Sequence, residues 1–303
     1  MIPHPSRRHC MRNLLNLGML YSFANTAFSA DEERQLINLG VTVQRSSEQT
    51  LKAWAGIANY LSQVLQLKVN LVPIPICKVY GTVIEKKLDA VFCNPNQAIL
   101  LKQLKQAQIV CSLSGPYGPR FGGVILTSKA SQIDSVAGLR AKPVVALGRQ
   151  SAGGYLFQVR HLKTKGLLAR RDYGVQFAES QDEALWALRR GDVAAAFIRS
   201  GMIEQLQQES YIDLSNFKVL DQRRDPNFPL LHSTDLYPEH YFVAMPDFAR
   251  SLAPRVKSAL LAIAKDSKIL TGTGVQSFIE PLDTALLEQA MRELGMAPFG
   301  TNV

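Results

Sequence analysis

The sequence predicts an α/β protein built as two lobes, and three observations carry that expectation. Period-two apolar runs alternate with helix-period patterns along the chain, the arrangement that gives largely parallel sheets covered by helices. A polar stretch over 128–143 separates a first α/β unit from a second. A strand-like run at 241–245 follows the second unit and returns the chain to the first, so the path crosses between lobes twice and a hinge is expected. At 303 residues and 47% apolar composition, the chain can bury cores of that size.

Residues 36–43 read as the first strand. Ser46-x-x-Gln49 is a capping box, and the helix it opens places Leu51, Trp54, Ile57, Ala58, Leu61 and Leu65 on one apolar face. That stripe assigns Trp54 to the core. Residues 69–72 form a second strand closed by Pro73 and Pro75, with a short helix at 79–87, and 88–93 form a third strand. Asn94-Pro95 turns the third strand into a helix starting near Asn96. Strands at 109–113 and 124–127 complete the first unit. The second runs strand 144–147, a loop of small residues over 148–154, helix 155–164, strand 175–178 and a helix opened by Ser180-x-x-Glu183. Gly191-Asp192 then turns into strand 193–198, helix 202–208 and a strand at 217–220. After the strand at 241–245, helices are expected at 248–265, 275–279 and 284–294. The expected division is therefore 31–128 with 235–303 as lobe 1, and 129–234 as lobe 2.

The first thirty residues read as a secretory signal. Arg7, Arg8 and Arg12 form a positive start, 14–23 are mostly apolar, and Ala27-Phe28-Ser29-Ala30 offers small residues before the acidic run Asp31-Glu32-Glu33. The apolar stretch is shorter than the roughly 20 residues a membrane span needs, so cleavage near Ser29 or Ala30 and a periplasmic location are expected. Without that segment the chain has 31 basic against 25 acidic side chains, a net +6. This suits a small anionic partner and is too dilute to argue for nucleic acid.

Three cysteines remain, Cys77, Cys93 and Cys111, at spacings that match no zinc pattern. Cys77 and Cys93 each end a first-lobe strand, which leaves a disulfide, a redox-sensitive rim or buried inert thiols as readings. His161, His232 and His240 lack metal-ligand spacing and a nucleophile-elbow partner, and 148–154 lacks the Lys-Ser/Thr of a nucleotide phosphate loop. An enzyme, a hydrolase included, is therefore not expected, and no cofactor or metal is called for.

Ligands of open α/β sheets sit beyond the carboxyl ends of strands. Here those ends hold Arg45 and Ser46, Tyr80, Asn94 and Asn96, Gln181, and Arg199. Gln150, Ser151, Ala152 and Gly153 feed a helix start, where free N–H groups and partial positive charge favour an oxyanion. The alternative is a tight turn that needs glycine for a positive φ. Arg199 can clamp an anion through a two-pronged donor pair or serve as a hinge ion pair. Tyr117 and Arg120 lie in a Gly/Pro-rich turn that reads either as cleft wall or as an ordinary exposed turn, and Ser233, Thr234 and Tyr237 fall at the second crossing.

Several stretches resemble one family. Ser46-Ser47-Glu48-Gln49, Leu88 to Asn96, Ser151-Ala152-Gly153-Gly154-Tyr155, Glu179 to Ala184 and Arg190-Gly191-Asp192 are similar to phosphonate-type periplasmic solute-binding proteins. Phe197 to Glu204 and Phe228 to Pro238 resemble the sensor domains of tetrathionate-sensing histidine kinases, a branch of the same superfamily. The resemblance implies the type II periplasmic-binding-protein fold, two lobes on a two-crossover hinge with a small anionic solute in the cleft. Its partner would be an ABC-type membrane permease or, in an accessory receptor, a sensor kinase. No kinase pattern follows the binding module before Val303, which leans towards transport or an accessory receptor, whereas the branch resemblance leans towards sensing. Where such phosphonate binders place an aromatic, a histidine and an acidic residue, this chain has Ala98, Gln181 and the strand Val193-Ala194-Ala195. Those departures open the solute class from phosphonate to phosphate and sulfur oxyanions.

Overall fold

The computed structural model describes residues 36–43 and 46–300. The chain begins with β1 (Leu36–Val43), α1 (Ser47–Leu65), β2 (Lys68–Pro75), α2 (Val79–Glu85), β3 (Ala90–Cys93), α3 (Pro95–Lys105) and β4 (Gln108–Ser114). A two-residue strand, β5 (Arg120–Phe121), leads to β6 (Gly123–Ser128), β7 (Pro143–Leu147), α4 (Phe157–Thr164), β8 (Gly174–Ala178), α5 (Gln181–Arg190), β9 (Ala195–Arg199), α6 (Met202–Gln208) and β10 (Phe217–Val219). The return passes through β11 (Tyr237–Pro238) to β12 (Tyr241–Ala244), α7 (Pro246–Ser251), α8 (Ala253–Leu261), β13 (Ser277–Ile279) and α9 (Ala285–Leu294).

Among the described residues, one sheet has the order β13-β4-β12-β3-β1-β2 and a second the order β10-β6-β9-β7-β8. In the first, β1 lies parallel to β2 and β3, whereas β12 is inserted antiparallel between β3 and β4. Helix α1 covers one face because Ser46 caps it, accepting from the Gln49 N–H at 3.2 Å, and because its apolar stripe meets the sheet. The stripe starts at Thr50, which is buried, while Leu51 is exposed. Trp54 packs on Phe92 with centroids 4.5 Å apart, and Phe92 in turn meets Phe242 and Phe278. In the second sheet Val124 and Leu126 face one apolar cluster and Ile125 the other, so both faces of β6 are buried.

Four local expectations are corrected. The strand at 124–127, expected in lobe 1 with a passage at 128–143, belongs to the second sheet, where β6 pairs with β9 and β10. A continuous apolar run gives no sign of which sheet it joins, and the crossing falls in the Gly/Pro-rich turn before it. The segment 275–279, expected as a helix, contains β13, drawn into pairing by the free edge of β4. The expected helix at 248–265 is two, α7 and α8, which meet at Leu252, and Pro254 sits in the first turn of α8, where its missing N–H costs nothing. Strand β2 runs through Pro73 to Pro75, tolerated because it is the edge of its sheet.

The two crossings lie side by side. Strands β5 and β11 pair antiparallel, and hydroxyl groups stitch them to the second lobe. Ser200 accepts from the Gly122 N–H, Thr234 from Gly123 and Ser233 from Ile125, all at 2.9–3.0 Å. Ser233, Thr234 and Tyr237 are thus buried hinge packing. Helix α9 spans the junction: Leu287 and Met291 join a cluster with Ile99 of α3 and Phe157 of α4. Arg160 of α4 reaches Asp235 at 2.6 Å, the Tyr237 hydroxyl at 3.1 Å and Glu293 at 3.2 Å.

Candidate functional site

The ends of β1 and β9 face one another across the hinge, and a cavity of ≈ 560 Å³ lies between them. Thr42, Ser46, Trp54 and the loops at 115–118 and 272–275 form its first-lobe wall. Arg199, Ser200 and the start of α6 form the second, and Arg120, Phe121, Glu239 and His240 close it at the hinge. The position follows from topology, since strand ends and the helix starts after them leave side chains and N–H groups pointing outward. The N-terminus of α1, a helix of 19 residues, opens on this space through its cap Ser46 and so brings partial positive charge to it.

Two carboxylates line the cavity, and both are already engaged by the protein. Glu204 accepts from the Gly201 N–H at 3.1 Å with one oxygen and from the Leu231 N–H at 2.7 Å with the other. Glu239 accepts from Arg199 and lies 3.3 Å from His240 Nδ1. Burial alone would raise the pKa of Glu239, but Arg199 and His240 outweigh it and hold the group down to about 2. Arg199 also sits over the Phe121 ring, 4.4 Å from its centroid, and its Nε is buried without a hydrogen-bond partner. Arg120 is exposed at the hinge and makes no ion pair among the described residues.

The sequence-predicted site residues separate by place. Ser46 and Arg199 line the cavity, and Arg45 lies outside the described residues. Asn96 and Gln150 meet across the lobes: Asn96 Nδ2 donates to the Gln150 carbonyl at 2.8 Å, leaving Asn96 Oδ1 and Gln150 Oε1 buried without partners. Asn94 sits at the start of α3, its N–H donating to the Gln97 side chain at 3.3 Å. Gln181 accepts from the Arg199 N–H at 3.0 Å and so fixes the end of β9.

Tyr80 packs on the α2 side of the first lobe with Lys105 over its ring at 5.5 Å, away from the cavity wall. Ser151, Ala152 and Gly153 are buried in a π-helical turn, Ala152–Leu156, and do not line the cavity. Ser151 Oγ accepts from the Gly154 N–H at 3.2 Å. Neither Gly153 nor Gly154 has a positive φ, so the turn reading does not hold either. Gly153 is required by close approach, since a Cβ there would lie 2.6 Å from Phe121 Cε2.

Trp54 is both core and wall, and the turn holding Tyr117 and Arg120 is wall. Glu239, His240, Glu204, Met202 and the turn around Thr273 were not found from the sequence. The signal for the turn is the Gly272-Thr273-Gly274 pattern, whose two glycines take φ of 80° and 74°. The Cys77–Cys93 pairing is also corrected: all three described cysteines are free, Cys77 exposed and the other two buried. Burial raises the Cys93 thiol well above its ordinary value and pushes Cys111 up to about 12.

The family model for periplasmic substrate-binding proteins of phosphonate ABC transporters matches residues 39–286. Over 268 residues the chain is 29% identical to the tetrathionate sensor histidine kinase TtrS of Salmonella typhimurium, which covers 86% of this chain and 44% of that protein. The chain thus spans less than half the length of that curated relative. PhnD1 from Prochlorococcus marinus, solved with methylphosphonate, superposes with a TM-score of 0.67 at 17% identity, over 86% of this chain and 98% of that one. A binding protein component of an ABC phosphonate transporter from Pseudomonas aeruginosa gives 0.69 at 18% identity, over 86% of each chain. The last two likenesses show the fold, the type II periplasmic-binding-protein architecture of two lobes.

Proposed function

Because the chain belongs to the family of phosphonate ABC-transporter periplasmic substrate-binding proteins, we propose that it is exported to the periplasm and captures a small anionic solute in the interlobe cleft. The solute is of the phosphonate, phosphate or sulfur-oxyanion class, and the bound form is handed to a membrane permease. The family is one of binding proteins rather than enzymes. Among the described residues, no helix is long and apolar enough to cross a membrane.

The observation that carries the reading is the state of charge of the cavity. Glu204 and Glu239 are engaged by the protein's own donors, whereas Arg120 makes no ion pair among the described residues and the Ser46-capped N-terminus of α1 faces the same space. A negative group entering there meets the Arg120 guanidinium and the partial positive charge of the α1 N-terminus, while the charge of Glu239 is balanced by Arg199 and that of Glu204 is spread over two backbone N–H groups. Asn96 and Gln150, already joined across the lobes, support a closed, ligand-holding form in which the hinge brings both walls onto the solute. Isothermal titration with methylphosphonate, phosphate, sulfate and tetrathionate tests it: saturable binding weakened by Arg120→Ala is expected, and no binding across the set contradicts it.

A second reading has its own observation. Identity to the tetrathionate sensor kinase is 29%, above the 17–18% to the two phosphonate-binding structures. On that reading the closed form is presented to a histidine kinase as an accessory receptor. Co-purification with a kinase ectodomain only when solute is present would favour it over transport.

A further inference from the structure

The cavity is larger than a bare oxyanion fills and has an apolar patch beside its polar groups, even though the lobes are already in contact. The Asn96–Gln150 hydrogen bond closes one end of the interlobe seam at 2.8 Å, and a Cβ on Gly148 of the second lobe would lie only 4.0 Å from Cys77 Cβ of the first. Little further closure is open to the hinge at that seam. The space that remains is nevertheless ≈ 560 Å³. At about 30 Å³ per water, a tetrahedral oxyanion fills only two or three water volumes, on the order of 60–90 Å³. The observed size falls within the roughly 300–1,000 Å³ of pockets that bury drug-sized organic ligands.

The walls agree with the size. Trp54, Tyr117, Met202, Phe228 and Leu230 all border the space. Trp54, Met202 and Phe228 are almost fully buried, at 8%, 7% and 4% exposure, and each borders this cavity. Trp54 is held in place by Phe92 at 4.5 Å, and Phe228 by the His232 ring at 5.3 Å, which makes both preformed surfaces rather than side chains that collapse inward. Apolar walls of this kind gain nothing from an inorganic anion and a good deal from a carbon body placed against them.

We propose that the solute is an organic anion, a phosphonate, phosphate ester or sulfonate whose charged head meets Arg120 and the start of α1. Its aromatic or branched apolar body lies against Trp54, Phe228 and Met202. This rests on the anion-binding reading above and narrows it to one class.

The test is isothermal titration of the full chain with phenylphosphonate and 2-naphthalenesulfonate, with phosphate, sulfate and tetrathionate, and with neutral phenol. The aryl anions are expected to bind at least about tenfold tighter than any inorganic one, with a negative heat-capacity change. Tyr117→Ala, a change at an exposed side chain of the cavity wall, is expected to weaken the aryl anions several-fold more than the inorganic ones. Inorganic anions that bind as tightly as the aryl ones overturn this inference and leave the anion reading standing. Absence of binding by every anion, or phenol binding as tightly as phenylphosphonate, overturns the anion reading and this inference with it.

Discussion

The guanidinium of Arg199 lies between the Phe121 ring, 4.4 Å from its centroid, and the carboxylate of Glu239. Arg199 ends the central strand of the second sheet, and Glu239 stands on the return crossing, so this pair ties the second lobe to the hinge at the mouth of the cavity. Its geometry sets both the charge a solute meets and the angle at which the lobes are held.

Stability in acid should report on that pair. Glu239 is held at about 2 against an ordinary 4.5, and a depressed folded-state pKa stabilises the protein above the unfolded value and ceases to as pH falls through the folded one. The contribution is therefore complete above about pH 4.5 and fades towards about pH 2, with a size on the order of 3 kcal/mol at about 1.36 kcal/mol per unit. Urea unfolding between about pH 5 and pH 2.5 should show a steeper loss for the native chain than for Glu239→Gln. Equal slopes would mean that the pair contributes nothing.

The hydrogen bond from Asn96 to the Gln150 carbonyl joins the lobes directly. Asn96→Ala removes about 1 kcal/mol of net interaction from the closed form, enough to shift an open–closed equilibrium roughly fivefold. Small-angle scattering should show a larger radius of gyration without solute, and titration a several-fold weaker apparent affinity. Unchanged values in both would show that the bond does not govern closure.

Packing explains Gly153. Adding a methyl group there places it 2.6 Å from Phe121 Cε2 and 3.2 Å from Arg199 Cγ. Gly153→Ala should cost about 1–3 kcal/mol through overpacking, visible as a lower urea midpoint. A midpoint equal to that of the native chain would mean that the hinge yields at this point.

Thiol accessibility offers a separate check. Cys77 is exposed, whereas Cys93 and Cys111 are buried with raised thiol pKa values. Iodoacetamide at about pH 8 without reductant should label Cys77 quickly and the other two only after unfolding, because the thiolate is the reacting species. A mass indicating a disulfide between any two of the three would contradict the free state.

The architecture was readable wherever the signal was local. The Ser46 cap, the α1 stripe from Trp54 to Leu65, the Asn94-Pro95 start of α3 and the Ser180 cap all depend on residues within a turn or two of one another. What escaped depended on partners far along the chain. The valine and isoleucine of β6 read as a strand but gave no address, and β13 exists because β4 has a free edge. The site divides the same way: strand ends pointed to Ser46 and Arg199, and a small-residue loop suggested an anion cradle at Gly153. Only the packed molecule shows Phe121 lying against Gly153, or Glu239 arriving from the return crossing to neutralise Arg199.

Strand β12 sits between β3 and β4, though some 150 and 130 residues separate it from them in sequence. A chain emerging from one end must therefore make the whole second lobe while β3 and β4 still lack the strand that joins them. During that interval two unsatisfied strand borders face each other across a gap, each a template for mispairing with another nascent chain. Assembly is thereby ordered: the interior lobe can mature early, and the outer one must wait for the strand that zips it shut.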